Sequence, residues 1–306
     1  MNWNDLRQGS GPRAIGAYVS VWGAATAYLA WKGADWTFPI IALLIFGVAL
    51  SSIAWGLTRK MDGPAIAVAN PARESFGLLA YIAVYAIVFI GWGIGAVKAA
   101  IEPGQAQEVA MFAYKLAIHV GLPVLVILSL GGAVRPLLAG GATRARWWVA
   151  FVAMSLILFG LLAVVSPSLS QVSALKLALP AVILSVLGAW FWMSLEAGLA
   201  EEFLFRAALQ SRLAAWLKSP VVAILLVSII FALAHWPGLY FRGTPETDGY
   251  STDPIQVAAF TIATLSPLSI LFGVIWQRTH SLLLVVLLHG AVNALPFTAE
   301  FVRIWG

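Results

Sequence analysis

Residues 198–235 read GLAEEFLFRAALQSRLAAWLKSPVVAILLVSIIFALAH, two apolar stretches joined by a short turn at Lys218-Ser219-Pro220. The first stretch carries the pattern E-E-x-x-x-R, and the second ends in F-x-x-x-H. Glu201 and His235 each lie 17 residues from Lys218. In an antiparallel pair of helices both would therefore stand roughly 25 Å from the turn, at the same level. The stretch predicts a helical hairpin that brings a carboxylate and an imidazole together inside a bundle.

The composition is that of a membrane protein. Of 306 residues, 61% are hydrophobic and 10% are charged, against about 25% charged in a typical soluble domain. Only helices and closed barrels satisfy their backbone in lipid, and the unbroken apolar runs lack the alternation of barrel strands. The net charge of +5 needs no nucleic-acid partner, and without cysteine the chain has no thiol nucleophile, disulfide or thiolate metal site. We predict an all-α, polytopic transmembrane helical bundle.

The apolar runs predict about eight to nine spans, each about long enough to cross ~30 Å of hydrocarbon as a helix. They lie near residues 14–31, 36–57, 76–97, 111–134, 147–167, 177–197, 219–236, 255–276 and 281–299. The first run is expected to be retained as a span rather than removed as a signal peptide. Residues 198–217 are expected to form a further helix within the bundle, broken from the preceding span near Gly198. We expect residues 1–170 to be a variable N-terminal part and residues 171–306 to be the core that carries the motifs.

Basic residues predict the orientation of the early spans. Most early cations fall before residue 14, in the 58–75 loop and in the 135–146 loop, whereas the intervening loops hold little more than Lys32 and Lys98. These cations are Arg7, Arg13, Arg59, Lys60, Arg73, Arg135, Arg144 and Arg146. Because cytoplasmic loops carry an excess of Lys and Arg, the N-terminus is expected in the cytoplasm. The expected location is the inner (cytoplasmic) membrane of the cell, as a multi-pass protein.

The helical spacing of the polar residues places Glu202 and Arg206 on one face of a helix and Glu201 on another, which indicates two different roles. Glu202 and Arg206 lie four residues apart and share a face, so they can form an ion pair, while Glu201 points about 100° away. We interpret Glu202 and Arg206 as a neutralised ion pair with a structural role. We interpret Glu201 as the unpaired carboxylate that takes part in the chemistry. On the last span, His289 and Asn293 form the pattern H-x-x-x-N and also share a face.

Each feature has a structural alternative. A Glu–Arg pair or a helical His beside an Asn is often interhelical hydrogen bonding. His119, one turn after Lys115, is interpreted as a packing or snorkelling residue, and Glu196 is a further carboxylate outside the motifs. Ionisable groups at membrane depth are nevertheless functional candidates by default. The presence of three polar motifs on successive apolar helices indicates a hydrolase.

The ordered trio of motifs resembles that of the CPBP family of intramembrane proteases, also called the ABI family, which includes the Ras-converting CAAX prenyl endoprotease. The resemblance covers about residues 180–299. Phe205 precedes the arginine as is common in the family, whereas Ala207 stands where many members have glycine. The resemblance implies an intramembrane endopeptidase that cuts a membrane-associated protein or peptide.

The resemblance also implies roles for individual residues. Glu201 and His235 would activate a water for attack on the scissile carbonyl, and His289 and Asn293 would donate hydrogen bonds to the oxyanion. The supporting residues are Glu202 and Arg206, which would hold the site together or help to bind substrate.

Two mechanisms stay open, because the family has also been described as metalloproteases. We expect no cofactor, since the chain has no H-E-x-x-H motif, and Asn293 is a poor zinc ligand but a good oxyanion donor. In the alternative, Glu201, His235 and His289 would be the three protein ligands of a catalytic zinc ion.

A function of another class also has to be weighed. The chain could be a non-catalytic membrane protein, such as a transporter, an assembly scaffold or an immunity factor against a peptide toxin. A transporter would usually have Gly/Pro-interrupted spans in corresponding halves, a pattern that this sequence lacks. The lipid bilayer and a membrane-associated substrate are the expected partners. A prenylated CAAX protein is the eukaryotic substrate of the family, but no residue here predicts a prenyl-binding groove.

Overall fold

The computed structural model describes residues 9–61, 63–64, 66–138 and 145–306. Within these ranges the chain is helical and contains no β-strand, as the composition predicts. Eight helices are long and apolar enough to cross a membrane. Arg7 and Arg144, two of the cations used to predict the orientation, lie outside the described residues.

The helices alternate in direction along the chain. They are α1 (Gly11–Trp31), α2 (Thr37–Leu57), α3 (Pro71–Ala100), α4 (Gln105–Ser129), α5 (Ala145–Val165), the short α6 (Ser168–Ala174), α7 (Leu179–Leu217), α8 (Pro220–Arg242), α9 (Pro254–Thr279) and α10 (Leu282–Trp305). The eight candidate spans are α2–α5 and α7–α10. Helix α1 has the length of a span but does not belong to that group.

One predicted boundary is wrong. The predicted span 177–197 and the following segment 198–217 form a single helix of 39 residues, α7, with no break at Gly198. Instead the helix widens into π-type turns at Ser194–Leu199 and again at Phe203–Gln210. Such turns change the direction in which side chains point without ending the helix, and they are frequent at functional sites. The charged residues lower the hydropathy here, but they are paired inside the bundle, so the helix continues.

Helices α9 and α10 form the centre of the bundle, whereas α2 and α5 are mostly on its outside. One continuous buried cluster holds the helices together, and every candidate span contributes to it. Its members include Leu50, Leu78, Ile127, Leu158, Phe205, Val227, Phe272 and Leu288. The N-terminal helices thus pack into the same core as the motif-bearing helices. The proposed division at residue 170 stays a prediction.

Helix α1 is attached along α9. The Tyr18 hydroxyl lies 2.9 Å from the Ser266 hydroxyl, and the Trp22 indole N–H donates to the Ala263 carbonyl at 3.0 Å. At its end, Lys32 pairs with Asp253 at 2.8 Å, directly before α9 begins. The hydrogen bond from Lys32 lowers the pKa of the Asp253 carboxyl to about 2.

The opposite end of the bundle is joined by two buried arginines. Arg212 pairs with Glu74 at 2.9 Å and donates to the Ala133 carbonyl at 3.1 Å, which links α7, α3 and the segment after α4. Arg278 donates to the Arg59 carbonyl at 2.6 Å, which links the end of α9 to the segment after α2. Both arginines therefore satisfy carbonyl oxygens that the ends of the helices leave free.

Candidate active site

Glu201 faces two imidazoles from two other helices. Its Oε2 atom lies 3.9 Å from His235 Nε2 on α8 and 3.8 Å from His289 Nε2 on α10. The side chains of Glu201 and His235 are 17% and 36% exposed, whereas His289 is buried. The predicted hairpin level of Glu201 and His235 is confirmed. Both separations exceed a direct hydrogen bond, so neither imidazole is bonded directly to this carboxylate oxygen.

Glu202 points to the other side of α7 and is buried. Its Oε2 atom pairs with Arg206 Nε at 3.0 Å, which confirms the predicted ion pair. Its Oε1 atom lies 2.7 Å from His289 Nδ1, a contact that the sequence did not predict. Glu202 thereby turns the Nε2 edge of His289 towards Glu201. The ring of Phe272 stacks on the same imidazole, with centroids 5.0 Å apart and planes inclined by 5°, so the ring is fixed on two sides.

Phe231, the aromatic residue of the second motif, contacts both Arg206 and His235. Its ring lies 5.0 Å from the Arg206 guanidinium carbon, a distance suited to a cation–π contact. Its carbonyl oxygen lies 2.8 Å from His235 Nδ1. A carbonyl only accepts hydrogen bonds, so Nδ1 carries the proton. When His235 is neutral, its Nε2 lone pair therefore faces Glu201.

Asn293 lies one turn after His289 on α10 and is partly buried. Its side-chain amide has no hydrogen-bond partner within the described part of the chain. The two residues of the H-x-x-x-N motif thus differ in their side-chain contacts. His289 contacts both glutamates, whereas the amide of Asn293 is not engaged by another side chain.

A cavity of about 380 Å³ lies beside Glu201 and His235. Tyr85 on α3 and His119 on α4 line its wall together with Lys115. The Tyr85 hydroxyl lies 2.7 Å from His119 Nε2, and His119 Nδ1 lies 2.9 Å from the Lys115 carbonyl. Because that carbonyl only accepts, Nδ1 donates to it and Tyr85 donates to Nε2. His119 is thus part of the cavity wall as well as a packing residue.

Glu196 forms an ion pair with Lys115 across α7 and α4. This further carboxylate is therefore neutralised by its neighbour, while the carboxylate of Glu201 faces the cavity and has only imidazoles beside it. The sequence did not predict that Tyr85 would line the cavity. The only signal for His119 was an ionisable group at membrane depth.

The geometry of Glu201, His235 and His289 can be compared with that of a zinc site. Zinc-bound nitrogen and oxygen atoms lie 2.0–2.2 Å from the metal, which puts two ligands of a tetrahedral site about 3.4 Å apart. The separations of 3.8 and 3.9 Å are wider than that. Among the described residues, no three His, Asp or Glu side chains are arranged to hold a metal ion. The site as built does not fit zinc without movement of its side chains.

Residues 183–295 match the family model of the Rce1-like, type II CAAX prenyl endopeptidases. The matched segment contains all three motifs. Comparisons with curated proteins and with solved structures gave no significant match. The match indicates a peptidase and so favours an enzyme over a transporter or scaffold, and the eight apolar helices indicate a multi-pass membrane protein.

Proposed function

We propose that this member of the CAAX-type intramembrane endopeptidases hydrolyses a peptide bond of a membrane-associated protein or peptide with a water activated by Glu201 and His235. The observation that carries the proposal is the convergence of two imidazole Nε2 atoms on one carboxylate oxygen, at 3.8 and 3.9 Å, beside a cavity. A carboxylate and a neutral imidazole are both proton acceptors, which is what a general base needs. No serine or cysteine nucleophile is required.

The reaction can be written with these groups alone. Glu201 takes a proton from the water as its oxygen attacks the scissile carbonyl carbon, and His235 Nε2 accepts the water's second hydrogen bond. The carbonyl oxygen becomes an oxyanion. The proton held by Glu201 then passes to the leaving amine as the C–N bond breaks, which regenerates the carboxylate.

The oxyanion needs donors, and the proposal assigns this role to His289 and Asn293 on α10. His289, with a carboxylate at each ring nitrogen, is suited to carry both protons and to donate from Nε2. The Asn293 amide can donate from the next turn, because no neighbouring side chain competes for it. Loss of one such donor typically costs about a hundred- to a thousandfold in turnover, which is the expected effect of His289→Ala.

Glu202 and Arg206 support the site without taking part in the chemistry. Their buried ion pair and the 2.7 Å contact to His289 hold one oxyanion donor in position. The proposal includes no metal: Asn293 is a poor zinc ligand but a good oxyanion donor, and the separations of 3.8 and 3.9 Å around Glu201 are wider than those between ligands of tetrahedral zinc. The cytoplasmic membrane of the cell is the proposed location.

A reconstituted assay tests the proposal. The purified protein, in liposomes with a library of membrane peptides, is expected to release fragments that mass spectrometry identifies. Glu201→Gln should abolish cleavage, and Glu300→Gln, a carboxylate on the surface at the end of α10, should preserve it as a matched control. Wild-type turnover by Glu201→Gln would exclude the proposed role of this carboxylate.

A further inference from the structure

Another cavity lies between the first two helices of the bundle. Helices α1 and α2 both pack on α9, and between them is a groove of about 300 Å³. Its floor consists of buried residues of α8 and α9, which include Val221, Ile224 and Val274. Its walls are formed by α1 and α2, and the exposed wall residues include Ile15, Val19 and Val48. The groove shares no lining residue with the cavity beside Glu201, so the two are separate sites.

The groove is lined mainly by apolar side chains and opens to the outside of the bundle. Two buried hydroxyl groups in its lining already have partners. The Tyr18 hydroxyl lies 2.9 Å from the Ser266 hydroxyl. The Ser51 hydroxyl donates to the Phe46 carbonyl at 2.7 Å. Because the exposed wall residues belong to apolar helices, a lipid chain can enter sideways from the bilayer, and the groove is suited to such an apolar occupant.

The dimensions of the groove fit a single hydrocarbon chain. Leu43 and Trp55, which both line it, are 12 residues apart on α2. That separation is roughly 18 Å at 1.5 Å per residue, just over half of the ~30 Å hydrocarbon core of a bilayer. At about 300 Å³ over this length, the mean width of the groove is roughly 4–5 Å, whereas an α-helix with its side chains is about 10–12 Å across. The groove is therefore too narrow for a transmembrane helix of a partner or of a second copy.

Cations lie at the end of the groove where α1 begins and α2 ends. Their side chains are exposed, and they belong to the start of α1, the segment after α2 and the turn before α8: Arg13, Arg59, Lys60 and Lys218. Arg278, one turn after Val274 in the groove floor, donates to the Arg59 carbonyl at 2.6 Å, which places the segment after α2 at the mouth of the groove. Within the described residues, none of the four exposed cations forms an ion pair. They are therefore available to an anionic group at the membrane surface.

We infer that the groove binds one acyl chain of an anionic phospholipid, whose phosphate is held by the cations at its mouth. Basic pockets between transmembrane helices bind anionic headgroups, and Arg and Lys form charge-assisted hydrogen bonds with phosphate oxygens. Arg13 and Arg59 flank the mouth from the two walls. The bound chain fills the space between α1 and α2 and so supports the packing of both on α9. This inference does not depend on the proposed peptidase function.

Photolabelling with a lipid tests the site directly. The full chain would be reconstituted in phosphatidylcholine liposomes that contain a trace of phosphatidylglycerol with a diazirine in one acyl chain, and labelled peptides would be mapped by mass spectrometry. We expect the wall segments 15–19 and 43–55 to be labelled at least tenfold more than α5, which is also exposed along one face. Unlabelled phosphatidylglycerol should compete at least tenfold better than additional phosphatidylcholine.

Two pairs of variants separate the headgroup from the chain. The double variant Arg13→Gln/Arg59→Gln should lose the preference for phosphatidylglycerol, whereas Lys98→Gln/Lys176→Gln, which removes two exposed cations elsewhere, should keep it. Val48→Trp places a large ring at the wall and should lower labelling of the groove at least fivefold. Ile53→Trp, at an exposed position of α2 outside the groove, is the matched control. If Val48→Trp does not fold, Val19→Trp on the facing wall makes the same test.

Three results would overturn the inference. Equal labelling of the groove and α5 would mean non-specific lipid contact only, and equal competition by the two lipids would exclude the anionic headgroup. Equal labelling of the tryptophan variant in the groove and its control would exclude the groove as the chain site. Labelling needs no turnover, so a selectively labelled but inactive protein would contradict the proposed function alone. Even labelling of an active protein would contradict this inference alone.

Discussion

Glu201 and Glu202 are neighbours in sequence, but their carboxylates have different partners. Glu202 is buried between Arg206 and His289, with contacts of 3.0 and 2.7 Å. Glu201 is partly exposed to the cavity, and the nearest titratable side chains are the imidazoles of His289 and His235, at 3.8 and 3.9 Å. One carboxylate is thus fixed by an ion pair, and the other is free to bind a proton and release it.

This difference predicts different effects on stability. Glu202→Gln should lower the free energy of unfolding by about 3–5 kcal/mol, because it leaves the buried Arg206 charge without its partner. Glu201→Gln should leave stability close to that of the wild type. Thermal unfolding of both variants in the same detergent measures the difference. Equal stability of Glu202→Gln and the wild type would contradict the structural role of the Glu202–Arg206 ion pair.

Tyr85 gives a second prediction at this scale. Tyr85→Phe removes the hydroxyl 2.7 Å from His119 Nε2 and leaves a buried ring nitrogen unpaired. The expected loss is about 1–3 kcal/mol of stability, with slower turnover because His119 lines the cavity. Tyr240→Phe is the control, since its hydroxyl has no hydrogen bond in the described part of the chain. If the two variants behave alike in unfolding and turnover, the Tyr85–His119 contact has no role.

The sequence predicts the motif residues better than their surroundings. Glu201, Glu202 and Arg206 lie on the same helix, so the relative directions of their side chains follow from the helical repeat. Tyr85 and His119 lie on helices far away in sequence, and an apolar run gives no sign of which of its faces meets a cavity. The contact between Glu202 and His289 was unpredictable for the same reason, because it depends on how α7 and α10 pack.

At the scale of elements, α7 combines a correct prediction with a wrong one. The level of Glu201 and His235 follows from the 1.5 Å rise of two helices that share a turn, and it is confirmed by their contact. The break near Gly198 is wrong, because hydropathy and glycine content do not distinguish a wide turn from the end of a helix. Gly198 instead permits close packing, since a Cβ atom there would lie 2.6 Å from the Val286 carbonyl oxygen on α10.

The close approach of α7 and α10 predicts that a methyl group added at Gly290 lowers the stability of the protein. A Cβ atom at Gly290 would lie 2.9 Å from the Ser194 backbone nitrogen and Cβ. Gly290→Ala should therefore cost about 1–3 kcal/mol of stability through overpacking. Gly160→Ala on α5 is the matched control, since a Cβ there meets nothing within 4 Å. Unfolding midpoints measure both, and a Gly290 variant as stable as the control would contradict the packing.

At the scale of the molecule, composition was sufficient to predict a helical membrane protein, and the structure contains eight candidate spans. The match to the peptidase family covers residues 183–295, yet α3 and α4 outside that segment supply part of the cavity wall. The orientation of the segments after residue 170 could not be read from the sequence, because it depends on whether residues 198–217 cross the membrane.

The central claim is that a carboxylate and an imidazole activate the water without a metal. The most direct test is the cleavage rate of the purified enzyme after exhaustive chelation, measured together with its zinc content. We predict an unchanged rate and far less than one zinc per chain. Near-stoichiometric zinc that disappears in both His235→Ala and His289→Ala, with activity lost on chelation and restored by added zinc, would contradict the claim.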